Sequence, residues 1–135
     1  MVAVDSNILG YLLLEGAQTA RANDLLQWDP DWHSDAFVLV EFSNILATMM
    51  RVRGLPLRQA MAAMTKAESV VESGLHAANH VDVLELAAQL RISAYDARFV
   101  AVARDLGLRL VTEDAKLRKA APTLTNSLAD ALAAA

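Results

Sequence analysis

Apolar and polar positions change rhythm abruptly at the start of the chain. Val2, Ala3 and Val4 form a short apolar run that reads as a buried strand, and Asp5, Ser6 and Asn7 follow as three consecutive polar residues. Ser6 or Asn7 can cap the next helix, whose apolar face is Ile8, Leu9, Leu12 and Leu13 and whose end is marked by Gly16. A second helix is expected over about residues 17–27, with Ala22, Leu25 and Leu26 inward, before the turn Asp29-Pro30-Asp31. Trp32-His33-Ser34 is a candidate second strand. Asp35 is placed to cap a long helix over residues 36–52, closed by Gly54, with Arg51 and Arg53 at the negative end of its dipole. The apolar stripe of that helix is Val38, Phe42, Ile45, Leu46 and Met49, and Glu41 lies on its flank. A carboxylate bordering a core either reaches a rim or meets a partner.

In the second half, Leu55-Pro56-Leu57 opens a fourth helix carrying Met61, Met64, Val70 and Val71, and residues 72–79 read as a loop or a short extended piece. Residues 82–90 resemble a fifth helix. Ser93-Ala94-Tyr95-Asp96 opens a sixth, with Tyr95, Phe99, Val102 and Leu106 at spacings of four, three and four and Gly107 at its close. Residues 108–111 are the clearest strand after the first. They too end in polar residues, Thr112-Glu113-Asp114, ahead of a short helix rich in Lys and Arg. Pro122 to Thr125 is a candidate edge strand, and residues 127–135 form an Ala-rich helix. There is no internal repeat and no linker, so residues 1–135 read as one domain. Strands alternating with helices predict an α/β fold: three layers, α/β/α, around a mostly parallel sheet, with helix outweighing strand.

Composition narrows the chemistry. The chain has no cysteine, which excludes a disulfide framework and thiolate ligands or nucleophiles and fits a reducing compartment. No stretch approaches the roughly 18 apolar residues of a membrane span, and the N-terminal pattern is not that of a secretion signal, so a soluble, cytoplasmic protein is expected. A net charge of −4 argues against a basic nucleic-acid-coating surface, although Arg51, Arg53 and Arg58, and later Lys116, Arg118 and Lys119, form local positive clusters.

Four acids recur at element ends or on the sheet-facing side of a helix: Asp5, Glu41, Asp96 and Asp114. Taken singly, each has a structural explanation. Asp5 can cap the first helix, Asp96 can complete a capping box with Ser93, Asp114 can cap the helix after it, and Glu41 can be a solvated rim residue. Taken together they point elsewhere. Asp5 and Asp114 both follow predicted strands, so a parallel sheet brings them to one edge, where the helix start bearing Asp96 also lies. Converging carboxylates repel one another without a cation, and a hard divalent ion, Mg²⁺ or Mn²⁺, prefers such oxygen ligands. Ser6, Asn7 and Thr112 are short hydrogen-bonding side chains suited to orienting ligands or water beside them.

These motifs carry a resemblance. Val4-Asp5-Ser6-Asn7, the Glu of Val40-Glu41-Phe42, Tyr95-Asp96-Ala97 with Ala101-Val102-Ala103, and the run from Leu110 through Thr112-Glu113-Asp114 to Leu117 together resemble a PIN-domain ribonuclease, specifically a VapC-type toxin. The resemblance spans essentially the whole chain. It implies Mg²⁺ or Mn²⁺ on Asp5, Glu41, Asp96 and Asp114, hydrolysis of RNA phosphodiester bonds, a homodimer, and inhibition by a VapB-type antitoxin lying along the site groove. The fourth acid is variable in that family, and Glu113 is an alternative to Asp114. The rival readings are a non-catalytic PIN-like module that binds RNA or protein, and a phosphatase of the haloacid-dehalogenase kind. The phosphatase chemistry wants a second Asp two residues after the first, where this chain has Asn7.

The remaining polar residues read as structural. Arg98, Lys116, Arg118 and Lys119 are expected on solvated helix faces, with contact to an RNA backbone as the alternative. His33, His76 and His80 read as surface or loop residues. Met49, Met50, Met61 and Met64 are expected to fill the core or serve a partner surface, and 5% aromatic residues are too few to suggest a platform for stacking single strands.

Overall fold

The computed structural model describes residues 1–135. Five short parallel strands, β1 (Val2–Val4), β2 (Trp32–Asp35), β3 (Leu75–His76), β4 (Leu110–Val111) and β5 (Thr125–Asn126), pair in the order β3-β2-β1-β4-β5. β1 is central and buried on both faces, which is why it is written as an unbroken apolar run rather than an alternating one. Eight helices surround the sheet: α1 (Ser6–Leu13), α2 (Thr19–Trp28), α3 (Phe37–Arg53), α4 (Leu57–Val71), α5 (His80–Leu90), α6 (Ala94–Asp105), α7 (Ala115–Ala120) and α8 (Leu128–Ala133). Helices α1 to α4 pack on one another, with α8 against α2, while α5 packs on α6 and α6 covers β2, β1 and β4. This is the expected three-layer, helix-rich α/β/α arrangement. Trp32, Phe42, Phe99, Ile8 and Leu9 are the largest side chains buried in its core. No helix is long and apolar enough to cross a membrane.

The topology fixes where chemistry can occur. From β1 the chain builds outward through β2 to β3, then returns by α5 and α6 to lay β4 on the other side of β1. The order reverses between β1 and β4, and ligands of open parallel sheets bind outside the strand ends at such a reversal. Val4 pairs with Val111, so Asp5 and Thr112 emerge there side by side.

Several boundaries move from their predicted places for local reasons. α1 stops before Gly16, because Thr19 Oγ1 accepts from the Gly16 amide and donates to the Leu14 carbonyl, closing a loop that delays α2. α5 begins early because Asn79 accepts from the Val81 and Asp82 amides. β4 lacks Leu108, whose amide instead donates back to the Ala103 carbonyl across Gly107, a left-handed residue at φ 71°. β3 lies within the stretch read as a loop or short extended piece, and β5 falls slightly later than predicted.

Three polar expectations are corrected. Asp35 does accept from the Phe37 amide at 2.8 Å, but it is the last residue of β2, wholly buried, and also receives the Ala78 amide at 3.0 Å and Arg98 Nε at 3.0 Å. Arg98 is therefore a partly buried strut between α6 and the buried Asp35 of β2, not a residue of a fully solvated face. His33 is buried in β2, its Nδ1 2.8 Å from His76 Nε2 and its Nε2 2.9 Å from Asp31 Oδ1, so His33 and His76 join two strands rather than lying free on the surface. Met50 and Met64 pack against the core as expected, whereas Met61 is exposed.

Candidate active site

The site begins with Asp5. Because β1 ends at Val4 and α1 starts at Ser6, Asp5 becomes the cap of α1, accepting the Ile8 amide on Oδ1 at 3.2 Å. It is only 6% exposed. Burial pushes its carboxyl up from 3.8 to about 6, hydrogen bonds from the Thr112 hydroxyl and the Ile8 amide partly offset that rise, and the charges of Asp96 and Glu41 add to it. Capping and clustering, alternatives on the sequence, are both true of this residue.

Ser6, the first residue of α1, donates its hydroxyl to Glu41 Oε1 at 2.9 Å and so ties the end of β1 to the second turn of α3. Glu41 is half-buried and its carboxyl is raised, first by burial and then by Asp96, with the Ser6 bond opposing. Asp96 sits in the first turn of α6, where the Ser93 hydroxyl caps its amide at 3.1 Å. Its carboxyl is raised by burial and by Asp114, against the hydrogen bond with Ser93. Asp114 caps α7 through Oδ1, which accepts the Lys116 amide at 2.9 Å and the Leu117 amide at 3.2 Å. Its own amide donates to Thr112 Oγ1 at 3.1 Å, so Thr112 touches both strand-end acids.

These acids line one open cleft of about 740 Å³, together with Ser6, Asn7, and a face of α3 and α6 that includes Phe37, Val40, Asn44, Ile45, Tyr95 and Phe99. Glu113 is not among the lining residues. Its Oε1 accepts the Leu128 amide at 2.7 Å, and its Oε2 lies 4.0 Å from Arg118 Nη2, so it holds the start of α8. Of the two neighbouring acids, Asp114 is the one at the cleft. Tyr11 of α1 feels the same negative field, its phenol pushed up by burial and then by Asp5, Glu113 and Asp114.

No Lys, Arg or His lines the cleft. Its carboxylates thus face one another and the bulk with no cationic side chain to offset them, which is the donor set of a hard divalent cation. No three of them are gathered around a common ligation point. Phe37 and Tyr95 went unnoticed as site residues in the sequence. Their rings stack with centroids 5.4 Å apart at 18°, and the only sequence signals were position: Tyr95 precedes Asp96, and Phe37 lies one helical turn before Glu41.

The sequence matches the PIN domain family over residues 2–122. The chain belongs to the PIN-domain family. PIN domains are in general metal-dependent nucleases, and the acidic cleft lies at the strand ends of this PIN domain accordingly. Among solved structures it is similar to PAE2754 from Pyrobaculum aerophilum, with a TM-score of 0.74 and 22% identity, over 97% of this chain and 85% of that one. At that identity the likeness is one of fold. No curated protein sequence matches the chain.

Proposed function

We propose that this PIN domain is a Mg²⁺- or Mn²⁺-dependent endoribonuclease that acts as a VapC-type toxin. The observation that carries the reading is the gathering of Asp5, Glu41, Asp96 and Asp114 in a cleft without a single basic residue. An RNA phosphate cannot approach four carboxylates unless a cation intervenes. Asp5 and Asp96 would hold the ion, with Glu41 and Asp114 completing its surroundings. When bound, it supplies positive charge opposite the scissile phosphate and a water of lowered pKa. Ser6 fixes Glu41, and Thr112 fixes Asp5 and Asp114, so the acids are held in place by hydrogen bonds rather than by mutual contact. Asn7, exposed at the cleft, has its amide free to meet a substrate oxygen.

The toxin role rests on the four sequence motifs and brings with it a VapB-type antitoxin laid along the cleft, a homodimer and a cytoplasmic location. Leu57 and Met61, one turn apart on α4, are exposed and apolar, which supports a protein partner on that surface. The test is direct. Purified protein supplied with Mn²⁺ cuts RNA, chelation stops it, and Asp96→Asn or Asp5→Asn abolishes cutting and growth inhibition while circular dichroism stays native. Cleavage by either variant at the wild-type rate would overturn the assignment. Growth arrest relieved by co-expression of a small protein encoded beside this chain identifies the toxin; arrest that none relieves removes the toxin role and leaves the nuclease.

A further inference from the structure

We infer that Tyr95, backed by Phe37, is a stacking platform for one unpaired nucleobase of the strand bound in this cleft; the inference rests on the nuclease reading above. The rings of Phe37 and Tyr95 lie nearly parallel, 5.4 Å apart. Phe37 is partly buried against the core, whereas Tyr95 is 59% exposed, unusually so for a large ring fixed by an aromatic neighbour. Phe37 stiffens Tyr95 from one side and leaves it in open contact with the cleft. Both residues line the same cavity as the acids, and Tyr95 is the immediate neighbour of Asp96 in the first turn of α6. A nucleotide whose phosphate lies over the acids therefore has an adjoining base within reach of the Tyr95 ring.

Charge leads to the same occupant. Proteins usually hold a nucleic-acid strand through Lys and Arg on its phosphates, and this cleft has neither. The contacts it does offer are aromatic faces and the amides of Asn7 and Asn44, which suit bases and sugars. A base paired within a duplex has its faces covered by neighbours and cannot use them. An aromatic content of 5% speaks against a platform for a run of stacked bases, whereas a single base needs only one placed pair.

Binding is measured with all four acids intact and Ca²⁺ in place of Mn²⁺ to hold back cleavage, using short oligoribonucleotides that carry the fluorescent base 2-aminopurine at successive positions. With Tyr95 or Tyr95→Phe, quenching is expected at one position of the strand. Tyr95→Leu should abolish it and weaken binding about 5- to 100-fold. Removing the base at the quenched position should weaken binding to the Tyr95 protein by a similar factor and leave the Leu protein unaffected. Equal quenching and affinity for Tyr95→Leu, equal affinity for a duplex of the same sequence, or no binding of any oligomer would each overturn the inference. Cleavage by the wild-type chain is scored separately. Stacking without cleavage would sink the nuclease reading alone, and cleavage indifferent to Tyr95→Leu would sink the platform alone.

Discussion

A single carboxyl group shows how function and stability oppose each other in this fold. Asp5 has a folded-state pKa raised from 3.8 to about 6, chiefly by burial. Between those values the folded protein binds more protons than the unfolded chain, so this residue makes stability fall as pH rises through that window. A shift of that size corresponds to about 3 kcal/mol. Asp5→Asn keeps a good helix cap and removes the charge. In the metal-free protein it should raise stability by about 1–3 kcal/mol at about pH 7.5 and by almost nothing near pH 3, as read by urea unfolding with chelator present. Equal stability of the two proteins at the higher pH would mean that the carboxylate is not desolvated. The neighbouring pair at residues 113 and 114 separates by direction instead of by burial. Asp114→Asn should lower kcat/KM on RNA by about tenfold or more with little change in stability, since Asn also caps helices. Glu113→Gln should leave cleavage as it was, because that side chain serves the Leu128 amide. The opposite result would place Glu113 in the site.

Among the elements, the helices and most strands were legible, whereas β3 was read only as part of a loop or short extended piece. α3, α4 and α6 carry apolar stripes over three turns or more, and each is found where its periodicity predicts. β3 has two residues, too few to show any period, and it exists because β2 offers it a partner. What makes that pairing possible is Gly74. A Cβ there would lie 2.1 Å from the Trp32 carbonyl oxygen, and since the obstacle is backbone no side-chain rotation relieves it. Gly74→Ala should therefore push β3 off β2 and destabilise the protein by about 2 kcal/mol or more in denaturant titration. A loss within a few tenths of a kcal/mol would show that this edge yields freely. Gly54 and Gly107, by contrast, close helices in the left-handed conformation and were readable from their positions alone.

At the scale of the whole molecule, contacts between distant segments decide which charges are structural. The Arg98 guanidinium reaches Asp35 across 63 residues of sequence and anchors α6 to β2 within one helical turn of Asp96. Asp35 is the fully buried partner of a partly buried pair, and removing Arg98 leaves its carboxylate without a counter-charge, so Arg98→Ala should lose about 1–3 kcal/mol in urea unfolding. Asp35 keeps two backbone donors. If the protein tolerates Arg98→Ala without loss, those amides suffice.

By itself, the sequence determined the fold class, the central strand, the main helices and the four acids of the cleft, because periodicity, caps and a polar break after an apolar run are local and leave local marks. The tertiary structure alone decided that Asp114 and not Glu113 faces the cleft, that Arg98 pairs with the buried Asp35, that His33 is buried, that Gly74 is a near-contact, and that Phe37 and Tyr95 meet beside Asp96. Each of those depends on the order β3-β2-β1-β4-β5, which brings together residues tens of positions apart. Side-chain direction and burial at such meetings are set by packing across the sheet, and no window of neighbouring residues contains that information.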